Sequence, residues 1–109
     1  MKLPSLQPLR IPAGWIVEYN DFREVDPSGG SAGSDWLRED LLQLKYPAAG
    51  ILIDVGWYEE GDSGEFAVYV KEDDFDGKCL GEFRSRDRQH VVAEVERLLL
   101  EYSGDRLSG

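Results

Sequence analysis

Apolar side chains alternate most cleanly over residues 50–58, GILIDVGWY, where Ile51, Ile53, Val55 and Trp57 share one face and Leu52, Asp54, Gly56 and Tyr58 the other. A period of two belongs to a strand with one face buried. Glu60-Gly61-Asp62-Ser63-Gly64 reads as a turn. The alternation then resumes, with Phe66, Val68 and Val70 on the apolar side and Glu65, Ala67, Tyr69 and Lys71 opposite. Asp74-Phe75-Asp76-Gly77 is a second turn, because Asp-Gly favours positive φ. Leu80 to Arg84 makes a short last strand. Upstream, the aromatic and β-branched stretch WIVEYNDFREV at 15–25 predicts a strand over about residues 14–23.

Residues 35–46, DWLREDLLQLKY, fit two patterns. Trp36, Leu37, Leu41 and Leu44 share a helical face, whereas Leu42, Leu44 and Tyr46 share a strand face. The reading adopted is a turn near 34–38, then a strand at 40–46, with Pro47-Ala48-Ala49-Gly50 as a tight connection. The period changes in the last third of the chain. Val91, Val92, Val95, Leu98, Leu99 and Tyr102 make one stripe at helical spacing, with Glu94, Glu96, Arg97 and Glu101 left to water. Ser85 is the expected cap and Gly104 the expected stop, giving a helix over 86–102. The expected fold is α+β: an antiparallel meander of four or five strands packed on one face by a C-terminal helix.

The chain has 109 residues, a length that suits one domain, and 41% hydrophobic content, enough to bury a core. Pro4, Pro8 and Pro12 predict an extended lead-in over 1–13, the glycine- and serine-rich segment 26–34 a flexible loop, and 105–109 a frayed tail. Cys79 is the single cysteine, so neither an internal disulfide nor a thiolate metal site is expected. The start, Met1-Lys2-Leu3-Pro4, has no apolar secretory core, and no apolar run nears the roughly 20 residues that span a bilayer. A cytoplasmic location is the expectation.

Charge changes the picture most. Residues 59–76 hold Glu59, Glu60, Asp62, Glu65, Glu72, Asp73, Asp74 and Asp76 against Lys71 alone, a local charge of −7 in a chain of −10. Acid flanking an apolar hairpin is displayed in fixed positions. It steers a basic partner and repels phosphate backbones and anionic membranes. A solvated acidic surface with no partner is the plainer alternative.

Catalytic and metal chemistry find little support. His90 is the only histidine, and no nucleophile motif connects it to Cys79. Arg84, Arg86 and Arg88 sit near the expected helix start, where local ion pairing competes with an anion site. Glu72, Asp74, Asp76 and Gly77 are spaced like part of a calcium loop, but position twelve would be Phe83 where a glutamate is required. No catalytic residue, metal or cofactor is therefore expected. Asp54 interrupts an apolar strand. On a buried face it must be hydrogen-bonded or raised in pKa, and on an open face it stands with Tyr58 to meet a partner. Trp15 and Trp57 are core candidates. Trp36, beside the glycine-rich loop, is a candidate exposed anchor.

Four stretches carry a resemblance: IPAGWIVEYNDF at 11–22, EDLLQLK at 39–45, ILIDVGWYEEGDSGEFAVYV at 51–70 and EFRSRDRQHVVAEVERLLLEY at 82–102. In overall pattern the chain resembles the small acidic immunity proteins encoded beside bacterial polymorphic and contact-dependent toxins. The resemblance implies a non-enzymatic inhibitor of a cognate toxin domain with a basic surface; many such toxins are nucleases with basic clefts that an acidic inhibitor can fill. The expected partner surface comprises Asp54, Tyr58, Glu59, Glu60, Asp62, Glu65, Asp73, Asp74, Phe75, Asp76 and Trp36. The chain is expected to be a monomer or weak homodimer that binds neither nucleic acid nor membrane. The alternatives are a small intracellular adaptor or regulatory domain, and an enzyme or ligand-binding domain built on the arginines and His90.

Overall fold

The computed structural model describes residues 4–27, 36–60, 63–72 and 77–108. Its elements run β1 (Ile16–Asn20), β2 (Leu42–Tyr46), β3 (Ile51–Glu60), β4 (Ser63–Glu72), β5 (Cys79–Ser85) and α1 (Arg88–Ser108). The strands lie side by side in chain order and every neighbouring pair is antiparallel. The α+β meander with a C-terminal helix, expected from the alternation, is the fold observed.

Long hairpin β3–β4 anchors the sheet. It is registered without interruption from Ile51 opposite Glu72 to Glu60 opposite Ser63. Alternation places Ile53 beside Val70, Val55 beside Val68 and Trp57 beside Phe66 on one buried face. Leu42, Leu44 and Tyr46 of β2 extend that face. At one end, Phe66 meets Trp57 and Phe22 edge to face, with ring centroids 5.0 and 6.0 Å apart. Edge-to-face contact sets a positive ring edge against a negative ring face.

Two segments cover this face. Helix α1 contributes the buried Val91, Val95, Leu98 and Leu99. The proline-spaced lead-in contributes Leu9 and Ile11. It is held by the Gln7 N–H donating to the Phe22 carbonyl at 2.7 Å and the Glu24 N–H donating to Ser5 at 2.8 Å. It is tied to the helix where the Arg10 N–H donates to Glu96 at 2.9 Å. Trp15 closes the far end: its ring stacks on Tyr46 at 4.9 Å, and its indole N–H donates to Ser103 Oγ at 2.7 Å.

Three local expectations need correction. Strand β1 is shorter than 14–23, because Phe22 leaves the sheet edge to enter the core. The cap of α1 is Asp87 rather than Ser85. Its Oδ1 accepts the Gln89 and His90 N–H groups at 2.8 and 3.3 Å, whereas Ser85 Oγ reaches only the Asp87 N–H at 3.0 Å. A capping oxygen must reach the second or third helical amide. The helix also continues through Gly104 to Ser108. Glycine ends a helix by turning left-handed, and the glycines with positive φ are Gly14, Gly50 and Gly77.

Residues 34 and 35 of the expected turn lie outside the described residues; from Trp36 onward the ambiguous stretch resolves as a 3₁₀ position at Trp36 and the strand β2. Between them the chain bulges. The Trp57 N–H donates to the Arg38 carbonyl at 2.7 Å, and the Leu41 N–H to the Val55 carbonyl at 3.0 Å. Glu39 and Asp40 lie between these two bonds, and the Glu39 carbonyl sits against Gly56. A side chain at Gly56 would overlap that carbonyl, which is backbone and cannot swing aside.

Gly56→Ala is therefore expected to destabilise the fold by about 1–3 kcal/mol, the usual cost of overpacking. Urea unfolding of the variant beside Gly50→Ala checks this. Gly50 has open space around it and differs by having φ +64°, so its loss reflects backbone strain alone.

Candidate functional site

With one sheet face covered, the strand parity displays the other. One row crosses all five strands: Tyr19, Gln43, Asp54, Tyr69 and Glu82 stand side by side. A second row runs Ile16, Lys45, Leu52, Lys71 and Cys79. Beyond the first row lie Gly56, Ala67 and Arg84, and then Tyr58 opposite Glu65. The 39–40 bulge lies over Gly56, bringing Glu39 and Asp40 to the same side.

Asp54 is at the centre of this surface. Its Oδ1 is shut off from solvent and has no hydrogen-bond donor. Burial pushes its carboxyl above the ordinary 3.8; Lys71 pulls back and Asp40 pushes further up. Burial likewise raises the Tyr58 hydroxyl, reinforced by Asp54, Tyr69, Glu39 and Asp40. The rings of Tyr58 and Tyr69 meet edge to face at 6.3 Å. Lys71 lies 5.6 Å above the Tyr69 ring.

The basic groups of the face are largely engaged. Arg84 donates to the Tyr69 hydroxyl at 2.7 Å, to Glu65 at 3.3 Å and to Glu82. Those carboxylates, Glu82 foremost, hold its guanidinium protonated well beyond its ordinary range. Lys45 stands 3.9 Å from Glu18. The open face thus combines aromatic area, paired bases and one buried carboxylate oxygen without a donor. Such an oxygen costs stability until a donor reaches it.

The expected partner residues divide. Asp54, Tyr58 and Glu65 share the open face. Glu59 is exposed, but alternation gives it the opposite parity, beside Gly64. Trp36 is half-buried, with the Arg23 guanidinium 5.5 Å from its ring, and is no free anchor. Asp62, Asp73, Asp74, Phe75 and Asp76, with the side chain of Glu60, lie outside the described residues. Reasoning from the sequence missed Glu39 and Asp40, whose placement depends on the bulge. It also passed over Tyr69, although the alternation already set Tyr69 opposite the apolar side.

The arginine cluster is dispersed. Arg86 donates to the Gly64 carbonyl at 2.6 Å and lies 5.9 Å from the Trp57 ring. Arg88 bonds Asp26 at 2.8 Å and Gln7. His90 is exposed, 3.7 Å from Asp87. Among the described residues, no three His, Cys, Asp or Glu side chains are grouped to hold a metal, and no helix is long and apolar enough to cross a membrane. No protein-family model, curated protein or solved structure matches the chain.

Asp54 carries a pH dependence of definite sign. A carboxyl raised in the folded state binds its proton more tightly there than in the unfolded chain. Its contribution is therefore most favourable below the unfolded value near 3.8 and is lost as pH rises through the higher folded value. Asp54→Asn is expected to raise the thermal midpoint at pH 7, with the gain shrinking as pH falls towards 3.8. Thermal melts of both proteins across that range check the sign. A gain that grows on acidification would contradict it.

Proposed function

We propose that the chain is an immunity-type inhibitor that binds a basic toxin domain through the open sheet face, in the cytoplasm of the cell that makes the toxin. The observation that carries this reading is the donorless, solvent-shielded Oδ1 of Asp54, set among Tyr19, Tyr58 and Tyr69. A lysine or arginine from a partner pairs with this half-buried carboxylate from its open side, and a charge-assisted bond there is stronger than a neutral one. The tyrosines supply the large, partly polar area that binding hot spots favour. The chain charge of −10 speeds encounter with a basic protein. The pattern resemblance over residues 11–102 supplies the toxin as partner. Self-protection requires a dissociation constant of about 1 nM or below, roughly −12 kcal/mol.

The arrangement also gives a reason to keep a destabilising group. Asn at position 54 relieves the burial cost but cannot pair with a cation as a carboxylate does. The same substitution that stabilises the free protein should therefore weaken the complex.

A tagged-protein pull-down from lysate of the source organism, at low and high salt, tests the reading. One stoichiometric partner with a basic C-terminal domain is expected. Against that partner Asp54→Asn should weaken binding about 30-fold or more, since breaking a desolvated charge pair costs about 2 kcal/mol upward, mainly through faster dissociation. Reversing Glu39 and Asp40 to Lys should instead slow association and flatten its salt dependence. Reversal of Glu59, Glu60 and Asp62 tests the hairpin tip separately. Undiminished affinity of Asp54→Asn would sink the open-face assignment, and a partner unrelated to toxins would favour an adaptor.

A further inference from the structure

Three glycines within the strands show where the fold needs space. At Gly56 the Glu39 carbonyl fills the place of a side chain. At Gly64 the Trp57 ring does so, 2.6 Å from where a Cβ would sit. Gly81 in β5 differs: nothing lies within 4 Å of its Cβ position, and its φ is not positive. Glycine weakens a strand interior and often marks the close approach of another backbone or a ligand. Among the described residues, neither a neighbour nor a backbone angle requires glycine at position 81.

The vacancy opens into a groove. Gly81 is opposite Val70, so its empty side faces the helix. There β5 and α1 enclose a cleft of about 210 Å³, lined by Val70, Leu80, Phe83, Leu98 and Tyr102. A one-residue irregularity between Val70 and Lys71 accompanies the turning of Leu80 into this lining. That volume is below the roughly 300 Å³ at which small-molecule pockets begin, so it suits a single side chain. The rim is acidic on balance: Arg97 bonds both Glu94 and Glu101, and Glu82 bonds Arg84. Strand β5 is also an edge of the sheet, paired only with β4, and contains no proline.

We propose that the β5 edge and the β5–α1 groove form a docking site for an extended, basic segment of a partner protein. The segment adds antiparallel or parallel to β5 as a sixth strand and seats one apolar side chain over Gly81. Main-chain hydrogen bonds supply affinity in such strand addition, and pockets for alternate side chains supply specificity. A large side chain across from an edge glycine covers the bare backbone and recovers packing the glycine forgoes. The net negative rim and the chain charge of −10 favour lysine or arginine at the flanking positions and disfavour a second copy of this chain. The site shares only Glu82 with the Asp54 row and does not depend on the function proposed for that row.

The test uses the whole ¹⁵N-labelled protein and an acetylated peptide of about ten residues alternating lysine and valine, with one central leucine. Amide shifts are expected over 79–85 and 94–102, unchanged in Asp54→Asn. Gly81→Leu fills the groove from within, so it should raise the peptide dissociation constant tenfold or more while the thermal midpoint stays level or rises. If Gly81→Leu folds poorly, the peptide with its central leucine changed to alanine makes the same test on wild-type protein, with the same loss expected. A peptide with glutamate for lysine should not bind. No shifts at about 1 mM peptide, shifts confined to the open face, equal binding by Gly81→Leu, or self-association of the free protein through β5 would each overturn the proposal.

Discussion

One-sided burial of the β3–β4 hairpin is the condition on which the molecule rests. Its alternation removes Ile53, Val55, Trp57, Phe66, Val68 and Val70 from water on one side only. Burial at about 25 cal/mol per Å² is the main force holding a domain of this size. An isolated hairpin cannot bury such a face, so it demands a cover. Helix α1 supplies most of that cover through Val91, Val95, Leu98 and Leu99, and the proline-rich lead-in adds Leu9 and Ile11. The Trp15–Ser103 and Arg10–Glu96 bonds join the two covering segments. Phe22 leaving β1 for the Phe66 ring is a further response to the same face.

Covering one face exposes the other, and that surface has a different character. It holds tyrosines, paired bases and the carboxylate of Asp54, whose inner oxygen lacks a donor. A fold selected for stability alone would have a smaller neutral side chain there. The 39–40 bulge adds to the unfavourable field by bringing Asp40 towards Asp54. These are costs in the free protein that a cationic partner would offset, so they sit more naturally in an interface than in a bare surface. The physical link between stability and binding runs through one residue, which makes the two separable by experiment.

The glycines divide the fold in the same way. Gly56 and Gly64 serve its interior, where a carbonyl and an indole occupy the space of their side chains. Gly81 serves no interior contact, and the groove beside it is acidic at its rim and apolar at its floor. The two proposed sites would use different kinds of recognition, backbone pairing at the edge strand and side-chain charge on the open face.

Much of this architecture is legible in the order of residues. Period-two alternation over 50–71 predicts both central strands and their faces, because strand parity is a local property. The stripe from Val91 to Tyr102 predicts the helix for the same reason. It also follows that Asp54, Tyr58, Glu65 and Tyr69 share the non-apolar side. What the alternation cannot convey is which segments meet across the sheet. The Asp87 cap, the bulge over Gly56, the burial of Phe22 and the pairing of each arginine depend on contacts between residues distant in the chain. Charge runs mislead for a related reason: Glu59 is one position from Tyr58 in the chain but faces the other way. Composition and periodicity settle the class of fold and the sign of its field. Which carboxylate is left without a donor, and which glycine without a neighbour, is settled by packing, because both are properties of the space around a residue.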